Sequence, residues 1–335
     1  MIQYGQKMKK YKKIIVWGAK LDTGHTHGFI HGAIVRAAKF MGIETYWLDN
    51  RDNLDDTFFD DAIIVTEQWL VFANGISNKL PLRKSSCYLI HYLGNKGGVE
   101  GNPGASMYLG QVGKLIDFRF ASNWGIDGVP DKNYAYKFEP EKYDRVSDTA
   151  YYEKSAEYDR YYDIWATDLL PAEFNFDARF TEQKRQAFFC GTIREDNAPV
   201  FEGFFDKCKQ HQIPFLYNSP WQKQLTTDEV RMYVIQSLLP LDLRPENHIA
   251  NGYIACRAIK NISYGALGMT NSKQTYDFFD GEIAYAPNSG DLFDVAIEMQ
   301  KNPKTKDLIL NQMKKIQEKH TYINRVNDII IASEI

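Results

Sequence analysis

What is missing from this 335-residue chain narrows its function before any motif is read. No run of 18 apolar residues occurs, so no transmembrane segment is expected. Residues 1–12 are polar and lack the apolar core of a secretory signal. The four cysteines, Cys87, Cys190, Cys208 and Cys256, are widely spaced and form no C-x-x-C. Neither a disulfide frame nor a zinc site is indicated, and a cytoplasmic location is expected. Cys87, Cys190 and Cys256 lie in apolar patterns and read as buried thiols. There is no G-x-G-x-x-G, whose tight glycines let a backbone touch a dinucleotide pyrophosphate, so binding of a nicotinamide dinucleotide is disfavoured. There is no H-E-x-x-H; His27 and His31 stand four apart, but no acid joins them and no metal is expected. Net charge is −3 with no basic stripe, which argues against nucleic acid as a partner. The one lysine cluster, Lys7, Lys9, Lys10, Lys12 and Lys13, reads as a solvated lead-in or, less simply, a contact to an anionic membrane surface.

What is present is an α/β pattern written twice. The length favours two domains. Lys13–Gly18 (KIIVWG) is an apolar, β-rich run stopped by glycine, and a polar loop follows. Residues Phe29–Met41 have helical spacing and end at Gly42, in the usual position for a C-terminal glycine. Glu44–Leu48 is the next strand, which completes a parallel βαβ unit. Ala62–Thr66 and Ser86–Leu93 continue the series, with Phe118–Ser122 and Tyr134–Phe138 as further candidates. Pro140–Arg160 is charged and Tyr-rich with weak periodicity, and the polar stretch Asn175–Arg185 is the best domain boundary.

A second series opens at Ala187–Ile193 (AFFCGTI). Strands are expected at Ile213–Tyr217, Ser237–Leu243, Leu267–Thr270 and Ile283–Ala286; a proline marks Ser237–Leu243 as bent or at an edge. Helices are expected at Val200–His211, Thr227–Ile235, Gly252–Ser263, Ser289–Met299, Lys304–Lys319 and Tyr322–Ile331. The reading is therefore two Rossmann-like, doubly wound domains with ligands at the carboxyl ends of their strands. The domains are set at 1–172 and 173–320, with a final helix, 321–335, packing back on the first. Aromatic residues make up 14% of the chain, which suits aromatic cores and Tyr-rich loops or a cleft that stacks on sugar rings or a base.

Four constellations carry candidate chemistry. The loop Gly18–Gly28 holds Gly24, His25, Thr26 and His27 just before a helix, as an active-site loop or as a plain polar helix start. His91 closes an apolar strand and is followed by Gly94, Asn95 and Lys96, where a polar side chain points to the carboxyl-end crevice. Cys190-Gly191-Thr192-Ile193-Arg194 ends a strand with backbone N–H groups and a cation, which suits a diphosphate. The densest is Asn251–Gly265 (NGYIACRAIKNISYG), with the helix start placed near Asn251 and Gly252. Free N–H groups and the helix dipole make such a start an anion site. Arg257 and Lys260, at i and i+3, share one face, and Arg244 precedes them in the loop that carries Glu246.

These residues resemble the donor domain of GT-B glycosyltransferases, most closely the retaining group often called family four and the related spore-maturation-type transferases. That family carries a helix patterned R-x-F-E-x-x-A-x-G; here Arg257 and Gly265 keep the outer positions. His320-Thr321-Tyr322 with Arg325 resembles the family's H-T-Y-x-x-R segment, and Gly191 to Arg194 its G-x-x-R turn. The resemblance spans roughly residues 187–330 and implies a GT-B fold, two domains facing a central cleft. It implies hexosyl transfer from a UDP-, GDP- or TDP-sugar to a glycan, glycoprotein or other hydroxyl acceptor, retaining and without a metal. The absence of any D-x-D sequence agrees with the last point.

In that scheme His91, Arg194, Arg257 and Lys260 are the catalytic group. The donor is held by Gly191, Thr192, Arg194, Tyr217, Asn218, Arg244, Glu246, Asn251, Gly252, Tyr253, Arg257 and Lys260, with Trp221 as a further stacking candidate. Gly24, His25, Thr26, His27 and Asn95 belong to the acceptor side. One departure stands out: Lys260 occupies the place of the family's glutamate and cannot accept a hydrogen bond from a ribose. Either Glu246 takes that role or Lys260 contacts phosphate. A nucleotide-sugar epimerase of the same fold and a non-catalytic glycan- or partner-binding relative are the alternatives.

Overall fold

A computed structural model describes residues 8–18, 20, 26–68, 80–91, 93, 104–120, 140–177, 184–193, 195, 197–219, 222, 225–250 and 252–335. The chain forms two compact units. The first comprises Met1–Leu21, Ile30–Ile164 and Tyr322–Ile335; the second comprises Asp22–Phe29 and Trp165–Thr321.

In the first unit the strands are β1 (Lys13–Trp17), β2 (Thr45–Leu48), β3 (Ala62–Glu67), β4 (Cys87–His91), β5 (Lys114–Phe120), β6 (Asp144–Arg145), β7 (Tyr151–Glu153) and β8 (Asp159–Asp163). They form one sheet in the order β2-β1-β3-β4-β5-β8-β7-β6. All neighbours from β2 to β8 pair in parallel, and β7 and β6 add an antiparallel edge. Strand β3 is buried at every position, as an apolar run covered on both faces should be. The helix Thr26–Phe40 begins three residues before its expected start. Gly42 ends it with φ +77°, and the Ile43 N–H closes back on the Ala38 carbonyl.

Strand β8 was hidden in a Tyr- and Asp-rich stretch whose charges read as loop. Those charges are satisfied across the strands. Glu153 on β7 faces Arg160 on β8 and pairs with it at 3.0 Å, and the Tyr162 hydroxyl donates to Glu153 at 2.9 Å. The proposed strand Tyr134–Phe138 lies outside the described residues. The last helix, Tyr322–Glu334, is tied to this sheet. Arg325 Nε donates to the Ile164 carbonyl at 2.8 Å and stands 3.4 Å from Asp163, and Lys114 Nζ donates to the Ala332 carbonyl at 2.9 Å.

In the second unit the strands are β9 (Lys184–Cys190), β10 (Phe215–Asn218), β11 (Ser237–Pro240), β12 (Met269–Thr270) and β13 (Ala284–Tyr285). β10-β9-β11 and β12-β13 are parallel, and a parallel bridge from Asp242 to Thr270 joins the two groups. The resulting order, β10-β9-β11-β12-β13, repeats the β2-β1-β3-β4-β5 winding of the first unit. Pro240 has no N–H to donate, and the Leu241 N–H continues the ladder to the Phe188 carbonyl at 2.9 Å. The core of this unit is largely aromatic: Phe204 meets Phe293 edge-on at 5.3 Å and Phe189 meets Phe201 at 4.8 Å.

One helix start differs from the sequence reading. The helix expected from Gly252 begins at Cys256, with Ala255 as its N-cap. A separate short helix, Glu246–Ala250, precedes it, and Gly252 follows that helix with φ +64° while its N–H bonds the Ile249 carbonyl. A β-carbon on Gly252 would fall 1.7 Å from Gln274 Oε1. The glycine therefore closes one helix instead of opening the next.

In each unit the winding direction reverses beside the first strand, between β1 and β3 and between β9 and β11. The carboxyl ends of those strands are where a doubly wound sheet leaves a crevice for ligand.

Candidate functional site

At the second switch point β9 delivers Cys190 and Gly191, the chain beyond β11 delivers Asp242 and Arg244, and the helix Cys256–Ser263 delivers Arg257 and Lys260. That helix is held over the strand ends by Asn261, whose side-chain amide donates to the carbonyls of Pro240 and Leu241 at 3.2 and 3.4 Å. Its C-terminal end is fixed where the Tyr264 hydroxyl donates to Asp168 at 2.5 Å, with Arg231 on the same carboxylate at 3.1 Å.

Arg257 lies flat on the Phe189 ring, 4.1 Å from its centroid, and its Nε donates to the Cys190 carbonyl at 2.8 Å. The space it fills exists because residue 191 is glycine: a β-carbon there would stand 2.4 Å from Arg257 Nη2. Arg244 pairs with Asp242, and Arg257 Nη1 reaches the same carboxylate oxygen at 3.5 Å. The Arg244 backbone is clamped to Asn271 by reciprocal bonds of 2.8 and 2.9 Å, and its guanidinium lies 5.5 Å from the Tyr253 ring centre. Tyr253 is in turn held by the Trp165 indole N–H at 3.1 Å. Lys260 Nζ rests 3.4 Å from the centre of the Phe29 ring.

Burial, and then repulsion from Arg244, pull the Arg257 pKa down, against the attraction of Asp242. Burial also acts against a charged Arg244, but the adjacent Asp242 outweighs it and leaves that pKa raised. One buried carboxylate is thus shared by two guanidinium groups with an ammonium close by. The site carries more positive charge than it can neutralise internally, which is the electrostatics of an anion site. Gly191, Arg244, Tyr253, Arg257 and Lys260 all line one pocket, with Phe29 and Cys190.

The other expected donor residues are dispersed. Tyr217, at the end of β10, is 39% exposed, and its hydroxyl accepts from the Ile193 N–H at 2.9 Å. Its ring stacks on Phe189 with centroids 6.2 Å apart. Asn218 is buried beside it, and its carbonyl accepts from the Gly191 N–H at 3.0 Å. The Thr192 carbonyl accepts from the Asn197 side chain. Glu246 is exposed in the first turn of its short helix. Arg194, Asn251, Trp221, Gly24, His25 and Asn95 lie outside the described residues. Thr26 and His27 open the helix Thr26–Phe40, with side chains outside the description. Sequence reasoning missed Asp242, although a carboxylate two residues before Arg244 at a strand's carboxyl end was a usable signal.

At the first switch point the chemistry differs. His91, at the end of β4, is 3% exposed and packs against Phe118, centroids 5.0 Å apart. Glu67 Oε1, at the end of β3, stands 3.8 Å from His91 Nδ1 and 3.7 Å from His31 Nε2. Sequence reasoning singled out His91 and left its two neighbours unread.

Comparison with known proteins adds the fold. No protein-family model matches the chain, and no curated protein matches it by sequence. An α-glucosyltransferase solved with UDP and a 13-mer DNA containing an HMU base is similar over 96% of this chain and 100% of its own, at 10% identity and a TM-score of 0.56. AviGT4, a glycosyltransferase involved in avilamycin A biosynthesis, is similar over 96% of this chain and 97% of its own, at 8% identity and a TM-score of 0.51. The fold is the GT-B fold, a mixed α/β architecture of two Rossmann-like domains.

Proposed function

We propose that this chain is a glycosyltransferase that takes a sugar from a nucleoside-diphosphate sugar and moves it to an acceptor hydroxyl. The observation that carries the reading is the sharing of Asp242 by Arg244 and Arg257, with Lys260 beside them, at the carboxyl ends of β9 and β11. Breaking the bond between sugar and diphosphate leaves an added negative charge on the phosphate. Preorganised cations at that point stabilise charge as it develops, which is typically the largest catalytic contribution. The guanidinium of Arg257 suits two phosphate oxygens at once, and Arg244 and Lys260 supply further positive charge.

The similar α-glucosyltransferase was solved with UDP, which is consistent with a nucleoside diphosphate here. In this reading the side-chain cations neutralise the leaving group and no metal is required. The finer kinship with retaining, family-four and spore-maturation-type enzymes rests on the Arg257–Gly265 pattern, and with it the expectation that transfer retains configuration. The acceptor is a glycan or other neutral hydroxyl compound, in keeping with a net charge of −3. Four free cysteines fit a reducing cytoplasm, and no described helix is long and apolar enough to cross a membrane.

The test is thermal unfolding with UDP, GDP and TDP, each with and without EDTA. A ligand at one hundred times its Kd stabilises the folded state by about 2.7 kcal/mol. One diphosphate should raise Tm, unaffected by EDTA, and release of that diphosphate from the sugar should depend on an added acceptor. Turnover of the sugar nucleotide without acceptor would indicate an epimerase instead, and no Tm shift with any diphosphate would overturn the reading.

A further inference from the structure

The first switch point holds a buried trio that the donor chemistry does not use. Glu67, His31 and His91 are 1%, 1% and 3% exposed, and each stands on a different element: the end of β3, the helix Thr26–Phe40 and the end of β4. A single carboxylate oxygen, Glu67 Oε1, is within 4 Å of one nitrogen of each imidazole.

The other nitrogen of His31 decides its protonation. His31 Nδ1 lies 3.2 Å from the Gly18 carbonyl, which also accepts the Trp47 indole N–H at 2.8 Å. A carbonyl can only accept, so Nδ1 carries a hydrogen. In a neutral ring Nε2 would then turn a lone pair toward the Glu67 carboxylate. Two electron-rich atoms facing each other in a buried site repel, and a proton on Nε2 removes the repulsion. His91 turns Nδ1 toward the same oxygen, which favours a hydrogen there. The charged neighbours on adjoining elements do not reverse this balance. On β5, Asp117 is matched by Arg119 at 2.6 Å and accepts from the Leu93 N–H at 3.4 Å, while Phe118 presents a ring to His91. Gln68, next to Glu67, accepts from the Tyr108 hydroxyl at 3.0 Å. Thr66 donates to the Trp17 carbonyl at 2.8 Å.

We propose that Glu67 is a positioning residue that keeps His31 as an imidazolium and His91 as its Nδ1–H tautomer. The result is a proton-holding trio at the carboxyl end of the first sheet. The arrangement follows a general rule: the group bonded to one nitrogen of a histidine sets what its other nitrogen can do. His91 then keeps a free electron pair on Nε2, a nitrogen able to accept a proton from a hydroxyl. The connection to sugar transfer rests on the glycosyltransferase reading above; the protonation states do not.

The experiment is nitrogen NMR of the full chain labelled at its histidines, from pH 5 to pH 9. His31→Asn and His91→Asn variants assign the two rings among the seven histidines. In the wild type His31 should titrate at least about one pH unit above the ordinary value near 6.5, and His91 should show a protonated Nδ1 with a bare Nε2 at neutral pH. Glu67→Gln should bring the His31 titration down by about one unit or more and mix the His91 tautomers. A wild-type His31 that titrates below about 6.5, or a His91 protonated on Nε2 alone, overturns the proposal without any variant. So does a folded Glu67→Gln protein whose histidine spectra are unchanged. In turnover with a sugar nucleotide, Glu67→Gln should lower kcat about tenfold or more and displace the pH profile, with donor KM within about twofold. A raised donor KM with an unmoved pH profile would mean a merely structural role. If the wild type transfers no sugar, the functional reading falls, and the spectra still decide the trio.

Discussion

The two units wind their parallel strands in the same order, and both bring a buried carboxylate to the end of a strand beside the switch point. What surrounds the carboxylate differs. Glu67 in the first unit is flanked by two imidazoles, whose charge can come and go near neutral pH. Asp242 in the second is flanked by two guanidinium groups, whose charge is permanent, with Lys260 lining the same pocket. The fold supplies the location twice, and the residue types decide what each copy can do. A permanent excess of positive charge awaits an anion, and a titratable set manages protons.

The sharpest way to break this contrast is to neutralise each carboxylate in turn. Asp242→Asn leaves Arg244, with 7% of its side chain exposed, as a buried cation without its anion. Loss of one partner from a buried pair destabilises by about 3–5 kcal/mol. Urea unfolding should show that loss, and the stabilising diphosphate should restore part of it by replacing the carboxylate as counter-ion. Glu67→Gln should lower stability much less, because His31 can release its proton. Equal losses in the two variants would mean that the two sites do not differ in the way described.

The next effect belongs to the first unit and is read by pH. Asp328, on the last helix, is pushed up to about 7 by burial and then by the charge of Asp163, against the opposing pull of Arg325. The Ser147 hydroxyl donates to its carboxylate at 2.9 Å. In the unfolded chain an aspartate titrates near about 3.9. The folded state therefore binds the proton more tightly. Its contribution to stability is complete below about pH 4 and is lost as pH rises through about 7, a change of a few kcal/mol at most. Unfolding midpoints for the wild type should fall from pH 5 to pH 8 relative to Asp328→Asn, which cannot ionise. Equal pH dependence in the two proteins would remove Asp328 as the cause.

Third is the donor pocket itself. Arg257→Ala removes a guanidinium fixed by the Cys190 carbonyl and the Phe189 ring, and a charge-assisted hydrogen bond contributes about 1.5–3 kcal/mol. Nucleoside diphosphate affinity, measured by calorimetry, should drop by roughly tenfold to 150-fold. An unchanged affinity would place the diphosphate elsewhere.

Much of this architecture could be read in the sequence because it depends on local patterns. The runs KIIVW and AIIVT are apolar enough to be strands buried on both faces, and Gly42 marked a helix end that needs positive φ. Arg257 and Lys260 shared a face by spacing alone, and they do line one pocket. The failures depended on partners far away in the chain. Strand β8 read as loop because Glu153, which neutralises Arg160, faces it from β7. The helix start was set four residues early because Gly252 serves the preceding helix, which only its φ of +64° reveals. Asp242, Glu67 and His31 each have an ordinary local sequence, and their meaning lies in contacts 15, 24 and 36 residues away.

The smallest predicted effect tests the place where the chain departs from the family pattern. Lys260 stands where related sequences carry glutamate, and its ammonium lies over Phe29 on the side of the pocket near Arg257. It is partly exposed, so solvent and salt screen it more than they screen the arginines. Lys260→Gln should weaken diphosphate binding by about 1 kcal/mol, roughly fivefold. Lys260→Glu should weaken it further, because repulsion of phosphate adds to the lost attraction. Both losses should shrink as salt is raised from 0.05 M to about 0.5 M, as expected of a screened charge acting at a distance. If Lys260→Glu instead binds the sugar nucleotide more tightly, the position serves the ribose as in the family. The positive excess of the second site would then reside in its two arginines alone, and its contrast with the first would narrow to the permanence of those charges.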